Sequence, residues 1–247
     1  MNRIKDYDRL AFDIDRWLKD YYYMHSIKAF VVGVSGGIDS AVVSTLCAKT
    51  ELPTYVLTMP LHSKEGNTKL SDAHAKALMK KYSNVRVVNI DLSDTYESLL
   101  FNIDQDFVNN KLANANTKSR LRMVTLYQIA GSVGGIVVGT GNKVEDYGVG
   151  FYTKYGDGGV DIAPIADLYK TEVWELGKHL KVNELIIKAK PTDGLWGDSR
   201  TDEDQLGASY EQLEEAMEHG TGPAVKILGE YNERNKHKMN PIPTFKL

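Results

Sequence analysis

The segment spanning residues 28–49 constrains the fold more than any other part of the sequence. An apolar run over residues 29–34 leads directly into Ser-Gly-Gly-Ile-Asp-Ser at residues 35–40, and a helical pattern follows. Two glycines at a strand-to-helix turn let backbone N–H groups converge on an anion at the positive end of the helix. The segment therefore predicts a phosphate-binding loop at the end of a buried strand, with Ser35 and Ser40 as additional donors.

The carboxylate in this loop needs a separate explanation, because Asp39 adds negative charge beside the expected phosphate. A Mg²⁺ ion between the carboxylate and the phosphate would make that charge useful. The simpler interpretation is a glycine-rich turn in which Asp39 or Ser40 caps the helix. The complete Ser-Gly-Gly-Ile-Asp-Ser string after a strand favours the phosphate site over the simple turn.

The first 165 residues predict an α/β fold, with a parallel sheet covered by helices on both faces in a Rossmann-like manner. The predicted strands cover residues 29–34, 54–59, 85–90 and 136–140. The predicted helices between them cover residues 39–50, 68–82 and 117–132. A polar connector that contains Asn109, Asn110, Asn114 and Asn116 is expected before the last of these helices.

Beyond residue 165 the sequence predicts only helices, over residues 170–180, 182–190, 209–219 and 222–238. We expect these helices to pack on the sheet, so that residues 1–247 form a single domain, which is a usual size for one globular unit. Residues 190–207 are polar and contain glycine. This composition fits a functional lid as well as it fits an ordinary long loop.

Composition narrows the choice of partners and compartment. The 30 Lys and Arg residues against 33 Asp and Glu residues give a net charge of −3, so nucleic acid is not expected as the main ligand. No stretch approaches the roughly 20 consecutive apolar residues that span a bilayer, and the charged N-terminal segment is unlike a signal peptide. The single cysteine, Cys47, excludes an internal disulfide and a thiolate zinc site. We therefore expect a cytoplasmic protein that binds neither membranes nor nucleic acid.

Two common nucleotide-binding patterns are absent from the sequence. A Walker loop ends in Gly-Lys followed by Ser or Thr, and the sequence contains no such tripeptide. The dinucleotide fingerprint Gly-x-Gly-x-x-Gly fails at residues 139–144, because Val144 occupies the position of the last glycine. The chain is therefore predicted to be neither a P-loop kinase nor an ordinary Rossmann dehydrogenase.

Further motifs accompany the loop at residues 35–40. They are Gly-Thr-Gly-Asn-Lys-Val-Glu at residues 139–145, Phe-Tyr-Thr-Lys-Tyr-Gly-Asp-Gly-Gly-Val-Asp at residues 151–161, and His-Lys at residues 237–238. With these motifs the chain resembles the pyrophosphate-loop ATP pyrophosphatases, whose signature is Ser-Gly-Gly-x-Asp-Ser, and within them the ammonia-dependent NAD synthetases. The resemblance covers nearly the whole chain and implies an adenine-nucleotide α-hydrolase-like fold.

The resemblance also implies an activity, that of an AMP-forming carbon–nitrogen ligase in the final step of NAD biosynthesis. ATP would react with the nicotinate carboxylate of deamido-NAD to give an acyl-adenylate and pyrophosphate, and ammonia would then displace AMP to give NAD. A free carboxylate would have to expel oxide, so adenylation supplies a phosphate leaving group instead. The resemblance further implies a homodimer with its active sites at the interface. The helix predicted over residues 117–132 has apolar residues around more than one face, which fits a helix between sheet and partner and also a helix buried inside one subunit.

By resemblance, Asp39 and Glu145 would bind Mg²⁺, and Lys170 would stabilise charge on the phosphates as they separate. Asp157 would accept a proton from ammonium, although its flanking glycines also fit a simple turn. The expected ATP-binding residues are Gly33, Val34, Ser35, Gly36, Gly37, Ile38, Asp39, Ser40, Thr140, Lys170 and Thr192. The expected deamido-NAD-binding residues are Arg120, Lys154, Asp161, His237 and Lys238.

Simpler interpretations and other functions stay open at this point. Taken alone, Glu145 is typical of a solvated loop carboxylate, and His237 with Lys238 is typical of a solvated helix end favoured by the helix dipole. A tRNA-modifying ligase or sulfur transferase of the same superfamily would favour a basic surface and often paired cysteines, and the net charge of −3 and the single cysteine provide neither. A regulatory module that holds ATP without turnover would not need Asp39 and Glu145 together.

Overall fold

Four parallel strands form the centre of the fold. A computed structural model describes residues 3–62, 65–192 and 201–246 of the chain. The strands are β1 (Phe30–Gly33), β2 (Thr54–Thr58), β3 (Val85–Asn89) and β4 (Ile136–Val137), and their order in the sheet is β3-β2-β1-β4. In register, Phe30 of β1 lies between Thr54 of β2 and Ile136 of β4. The predicted α/β class with a parallel sheet is confirmed.

The order of the strands creates a switch point beside β1. From β1 the chain adds β2 and β3 on one side, and it then returns to place β4 on the other side of β1. In open parallel sheets, ligands bind beyond the carboxyl ends of the strands at such a switch point. The loops that follow β1 and β4 therefore flank the expected site, and these loops carry residues 35–40 and Thr140.

Helices cover both faces of the sheet. On one face, α1 (Tyr7–Met24), α2 (Ile38–Lys49), α3 (Glu65–Lys81) and α7 (Lys170–His179) pack against Phe30 and Val32. On the other face, α4 (Ser93–Phe101) and α6 (Lys111–Val133) pack against Val31 and Leu57, with α5 (Gln105–Val108) between these two helices in the chain. Successive strand residues thus point to opposite faces, and burial on both faces explains the continuous apolar sequence of β1.

Beyond residue 165 the described part of the chain forms helices and no strand, as predicted. A π-helix (Val144–Val149) precedes α7, and α8 (Glu184–Ile187), α9 (Asp202–Leu206), α10 (Tyr210–His219) and α11 (Val225–Met239) follow it. Buried residues of the π-helix and α10, among them Val149 and Leu213, form a cluster against which α11 packs. Trp174 of α7 contacts this cluster and the core under the sheet, so the two clusters are joined through α7.

Several elements differ from the sequence prediction, which did not include α4, α5, α9 or the π-helix. Helix α1 was not predicted, because its many charged residues obscure the helical spacing of the buried residues Ala11, Ile14 and Leu18. The predicted polar connector is wrong, because Asn110 caps α6, which begins at Lys111. β4 is shorter than the strand predicted over residues 136–140. Likewise, α8 is a single turn within the helix predicted over residues 182–190.

His74 of α3 is buried against α2. Its Nε2 lies 2.9 Å from Ser44 Oγ, and burial lowers the pKa of His74 to about 4. The histidine of an unfolded chain titrates near pH ~6.5. Between these two pKa values the unfolded chain binds a proton that the native state does not, so stability is lost as the pH falls through this range.

We expect His74→Gln to remove this acid sensitivity. Below about pH 6.5, where the histidine of the unfolded wild type becomes protonated, the wild type should lose about 1.4 kcal/mol more stability per pH unit than the variant does. Urea unfolding between about pH 7 and pH 4.5 measures this difference. His219→Gln, at an exposed position at the end of α10, is the control and should follow the wild type. Parallel stability curves for wild type and His74→Gln would contradict this explanation.

Candidate active site

A cavity of about 1090 Å³ opens between the loops that follow β1 and β4. Pockets for one drug-sized ligand measure roughly 300–1,000 Å³, so this cavity has room for more than one small ligand. The lining includes every predicted site residue except Asp161, namely residues 33–40, Arg120, Thr140, Glu145, Lys154, Asp157, Lys170, Thr192, His237 and Lys238. The fold therefore brings residues from most of the chain to a single site.

The loop after β1 depends on glycine. Gly36 has a φ of +93°, in the left-handed region that favours glycine, and Gly37 is the N-cap of α2. The hydroxyls of Ser35 and Ser40 lie 3.2 Å apart, and Ser35 Oγ also accepts a hydrogen bond from the Gly37 amide. The expectation that Asp39 or Ser40 caps the helix in a simple turn is wrong, because Gly37 is the N-cap; the phosphate-binding role of the loop stays a prediction.

A buried lysine joins two carboxylates in the cavity wall. The Lys170 side chain is 2% exposed, and its Nζ lies 2.6 Å from Asp39 Oδ2 and 2.9 Å from Glu145 Oε1. Burial alone would lower the pKa of Lys170, but the charges of Asp39 and Glu145 outweigh it and raise that pKa. Burial also opposes ionisation of Glu145, yet the charge of Lys170 outweighs it and lowers the pKa of Glu145. The lysine therefore stays charged.

Asn142 sets the spacing between these two carboxylates. Its side chain is fully buried, and its Nδ2 donates to Asp39 Oδ1 at 3.2 Å. Its Oδ1 accepts hydrogen bonds from the amides of Val144 and Glu145 at the start of the π-helix. One amide side chain thus links the phosphate loop to the turn that carries Glu145.

The backbone of Gly141 lies very close to the carboxyl group of Asp146. A Cβ atom at position 141 would lie 2.1 Å from Asp146 Oδ2, which no side chain could tolerate without movement of the carboxyl group. Burial, together with the charge of Glu145, raises the pKa of Asp146 to about 7. Asp146 therefore adds a third acidic side chain to this part of the cavity.

Asp157 is held in place by α6. Its Oδ1 accepts hydrogen bonds from Ser119 Oγ at 2.6 Å and from the Thr153 amide at 3.0 Å. Ser119 Oγ accepts in return from the Asp157 amide at 2.9 Å. Neither of the two bonds on the carboxylate uses Oδ2, so the protein fixes the orientation of the group while leaving one oxygen for other partners.

The predicted basic residues meet on one wall of the cavity. Arg120 Nε and Nη2 each lie 3.3 Å from the carbonyl oxygen of Lys154, and Lys154 Nζ donates to the carbonyl oxygen of His237 at 3.1 Å. Lys238 Nζ donates to the carbonyl oxygen of Tyr152 at 2.8 Å. These bonds tie the end of α11 to the segment that follows the π-helix, and they gather three cationic side chains there.

Asp161 is placed elsewhere. Its Oδ2 accepts from the Val137 amide at 2.7 Å and its Oδ1 accepts from the Tyr127 hydroxyl at 3.0 Å, between β4 and α6. It does not line the cavity of its own chain, and its role in binding deamido-NAD stays a prediction. Thr192 does line the cavity, whereas residues 193–200 of the predicted lid lie outside the described residues.

Sequence reasoning missed Asn142, Asp146 and Tyr210 as parts of the site. Tyr210 is fully buried, and its hydroxyl donates to Glu145 Oε1 at 2.7 Å. Burial and the charge of Glu145 raise the pKa of Tyr210 far above its usual value, so the hydroxyl stays protonated. Asn142 lies inside the motif at residues 139–145 and Asp146 directly follows it, so both could have been considered. No local signal connects Tyr210 with a glutamate 65 positions earlier.

Asp39 and Glu145 fit a Mg²⁺ ion that also contacts phosphate. Among the described residues, no group of three or more His, Cys, Asp or Glu side chains is arranged to hold a metal ion alone. However, Asp39 and Glu145 both reach the position of one cation, Lys170 Nζ. Mg²⁺ is commonly held by one or two carboxylates together with substrate phosphates, and two carboxylates beside a phosphate loop meet that need.

In the part of the chain that the structure describes, no helix is long and apolar enough to cross a membrane.

Comparison with known proteins gives one consistent family. A family model described as NAD synthase matches residues 10–240. A protein of Finegoldia magna named NH(3)-dependent NAD(+) synthetase is 35% identical over 97% of this chain and 97% of its own length. The matched residues include all the segments that line the cavity.

Two solved structures are similar over nearly the whole chain. The structure of NMN synthetase from Francisella tularensis has a TM-score of 0.91 and 31% identity, and the match covers 99% of this chain and 100% of that one. The NH3-dependent NAD synthetase from Campylobacter jejuni, in complex with the nitrate ion, has a TM-score of 0.78 and 25% identity, and covers 98% and 100%.

Proposed function

Since the chain belongs to the NAD synthase family, we propose that it amidates deamido-NAD with ammonia to give NAD, with cleavage of ATP to AMP and pyrophosphate. The observation that carries the proposal is the position of Lys170 between Asp39 and Glu145, beside the phosphate loop. Adenylation builds negative charge where the phosphates separate, and a fixed buried cation stabilises that charge. A module that only holds ATP has no use for this arrangement.

In the first step, an oxygen of the nicotinate carboxylate attacks the α-phosphorus of ATP. The bond between the α- and β-phosphates breaks, and pyrophosphate leaves with the electron pair. Residues 35–40 bind the pyrophosphate end, and Lys170 stabilises its developing charge. When bound, Mg²⁺ would neutralise phosphate charge, and Asp39 with Glu145 would hold it.

In the second step, ammonia attacks the acyl carbon and AMP leaves with the electron pair of the broken carbon–oxygen bond. Asp157 accepts the proton that nitrogen must lose, through the carboxylate that Ser119 and the Thr153 amide orient. Arg120, Lys154 and Lys238 bind the phosphates of the acceptor.

Ammonia, rather than glutamine, is the nitrogen donor that this site supports. A glutaminase of the cysteine type needs an accessible, activated thiolate. Cys47 is fully buried, and burial raises the pKa of its thiol to about 12. This cysteine therefore does not supply ammonia from glutamine.

The purified protein is expected to form NAD from ATP, Mg²⁺, deamido-NAD and ammonium. Glutamine at the same concentration should give no product above background. NAD formation and acceptor-dependent pyrophosphate release are measured side by side, because both must appear for the two-step reaction. Pyrophosphate release that does not depend on any nicotinate acceptor, or equal use of glutamine, would contradict the proposal.

A second acceptor, nicotinate mononucleotide, is favoured by one specific observation. The TM-score of this chain is higher with NMN synthetase, at 0.91, than with the Campylobacter NAD synthetase, at 0.78. Both acceptors carry the same carboxylate, and they differ in the adenylate half that only deamido-NAD possesses. The kcat/KM of the two acceptors, measured with saturating ATP and ammonium, decides between them. A higher value for the mononucleotide would make it the substrate.

We also propose that two copies of the chain form a dimer through the outer face of α6. Leu121 and Ile129 of this helix pack against the sheet, whereas Val124 is 58% exposed on the same helix. Two apolar side chains at the ends of α4 and α5, Phe101 at 85% and Phe107 at 72%, are also exposed. Apolar exposure of this extent is typical of a surface that a partner covers.

Val124→Asp is expected to convert the dimer to a monomer, because a charge would be buried at a two-fold interface that contains the residue twice. Native mass spectrometry and sedimentation velocity measure the change at equal protein concentration. Phe12→Asp, which changes an equally exposed apolar residue of α1, is the control and should leave the dimer intact. A wild-type chain that is monomeric at micromolar concentration would exclude this interface.

A further inference from the structure

Tyr210 occupies a position from which one side chain reaches both a carboxylate and the lysine of the site. It is fully buried at the start of α10, where Ser209 caps the helix and the Tyr210 amide donates to Glu203 Oε1 at 3.0 Å. Its ring meets that of Trp174 edge to face, with centroids 5.9 Å apart. The backbone and ring are thus held between α7 and α10, and the hydroxyl lies much closer to Glu145 Oε1, at 2.7 Å, than to its other acceptor, Asp202 Oδ2, at 3.5 Å.

The hydroxyl and the ring contact different members of the charged group. Tyr210 Oη donates to Glu145 Oε1 at 2.7 Å, the same oxygen that accepts from Lys170 Nζ at 2.9 Å. The Lys170 ammonium also lies 4.9 Å from the centre of the tyrosine ring, within the range of a cation–π contact. Both hydrogen bonds use Oε1, so Glu145 Oε2 accepts neither of them.

Lys170 donates to both Asp39 and Glu145, and in the proposed reaction it also contacts phosphate oxygens. The tyrosine bond gives Glu145 a second donor that does not depend on Lys170. Groups that hydrogen bond to a metal-binding carboxylate commonly affect metal affinity or activity by about 10–100-fold when they are removed. Tyr210 is well placed for this role because its bond to Glu145 is short and buried.

We propose that Tyr210 is a positioning residue, which orients Glu145 and supports Lys170 for the adenylation step. The inference rests on the proposed function only where it is tested by the rate of the reaction. The second test, the binding of Mg²⁺ to the ATP complex, needs no nicotinate acceptor.

The test removes only the hydroxyl. Tyr210→Phe keeps the ring that packs on Trp174 and Lys170, and urea unfolding first establishes that the variant is folded. Tyr169→Phe is the matched control, because its hydroxyl also bonds a carboxylate, Glu218, at 2.8 Å, and does not contact Asp39 or Glu145. We expect Tyr210→Phe to lower kcat by about 10–100-fold and to raise the Mg²⁺ concentration for half-maximal thermal stabilisation of the ATP complex by a similar factor.

A double-mutant cycle separates positioning from packing. If Tyr210 acts through Glu145, then Tyr210→Phe added to Glu145→Gln should change the Mg²⁺ dependence by less than about twofold. Multiplicative effects of the two substitutions would overturn the proposal, and so would a Tyr210→Phe variant within twofold of the Tyr169→Phe control in both readouts. An enzyme that binds Mg²⁺ and ATP but amidates no nicotinate compound would contradict the proposed function, while the binding readout would still decide the role of Tyr210.

Discussion

Lys170→Met is expected to lose about 3–5 kcal/mol of stability at neutral pH and to lower kcat for adenylation at least about a hundredfold. The substitution removes the cation shared by Asp39 and Glu145, whose side chains are each only 16% exposed. Two buried like charges then raise each other's pKa. At pH values between the pKa of these carboxyl groups in the unfolded chain and their raised pKa in the folded variant, the native variant binds protons that the unfolded chain does not. Its destabilisation should therefore grow as the pH rises from about 5 to about 8.

Urea unfolding at several pH values and assays of pyrophosphate release measure these two effects. The control is Lys143→Met, because Lys143 also pairs with a carboxylate but its partner, Asp167, is exposed. This control should stay within about 1 kcal/mol of the wild type at every pH, as expected for a surface ion pair. A loss of stability in Lys170→Met that did not vary with pH would mean that the pair of carboxylates is not the cause.

Asp39→Asn is expected to lower kcat by about a thousandfold, equivalent to about 4 kcal/mol, with little change in the fold. The amide keeps the size of the side chain and an oxygen that can accept a hydrogen bond from Lys170. It removes the negative charge that would help to hold a metal ion beside the phosphates. Lys170 stays paired with Glu145 at 2.9 Å, so the lysine is not left alone in a buried site.

Acceptor-dependent pyrophosphate release tests the activity, and the midpoint of thermal unfolding tests the fold. Asp167→Asn makes the same chemical change at an exposed surface pair and should keep wild-type activity. The thermal shift produced by ATP alone should be similar in Asp39→Asn and wild type, whereas the additional shift with Mg²⁺ should shrink. Release of pyrophosphate at a near wild-type rate would show that Asp39 has no part in adenylation.

The fold was predictable wherever the signal lay within one element. Local sequence alone predicts the apolar strands β1 to β3 and the glycine turn at residues 35–40. The parallel sheet follows from the alternation of these strands with helices. β4 was overestimated because its end depends on tertiary contacts. After Val138 the backbone leaves β1, and the Gly139 amide bonds instead to the carbonyl oxygen of Ile162. The apolar pattern of residues 136–140 does not indicate that the backbone changes its hydrogen-bond partner at Gly139.

The site was predictable to the extent that its motifs are local. Taken alone, Glu145 is typical of a solvated carboxylate, and only the resemblance to a family placed it with Asp39 and Lys170. The contact between Tyr210 and Glu145 lies beyond such reasoning, because it forms when α10 packs beside the π-helix. A buried tyrosine looks like any other core residue in the sequence, and its hydroxyl gains a role only from the tertiary structure.

The π-helix at Val144–Val149 makes the number of residues in this connection as important as their identity. A π-turn holds one residue more than an α-turn, and its carbonyl oxygens at Gly148 and Val149 accept hydrogen bonds from Asn232 and Asn235 of α11. Removing one residue would rotate the following side chains by about 100° against those partners. Insertions and deletions, which most surface connections accept, should therefore be rare in this segment over evolution.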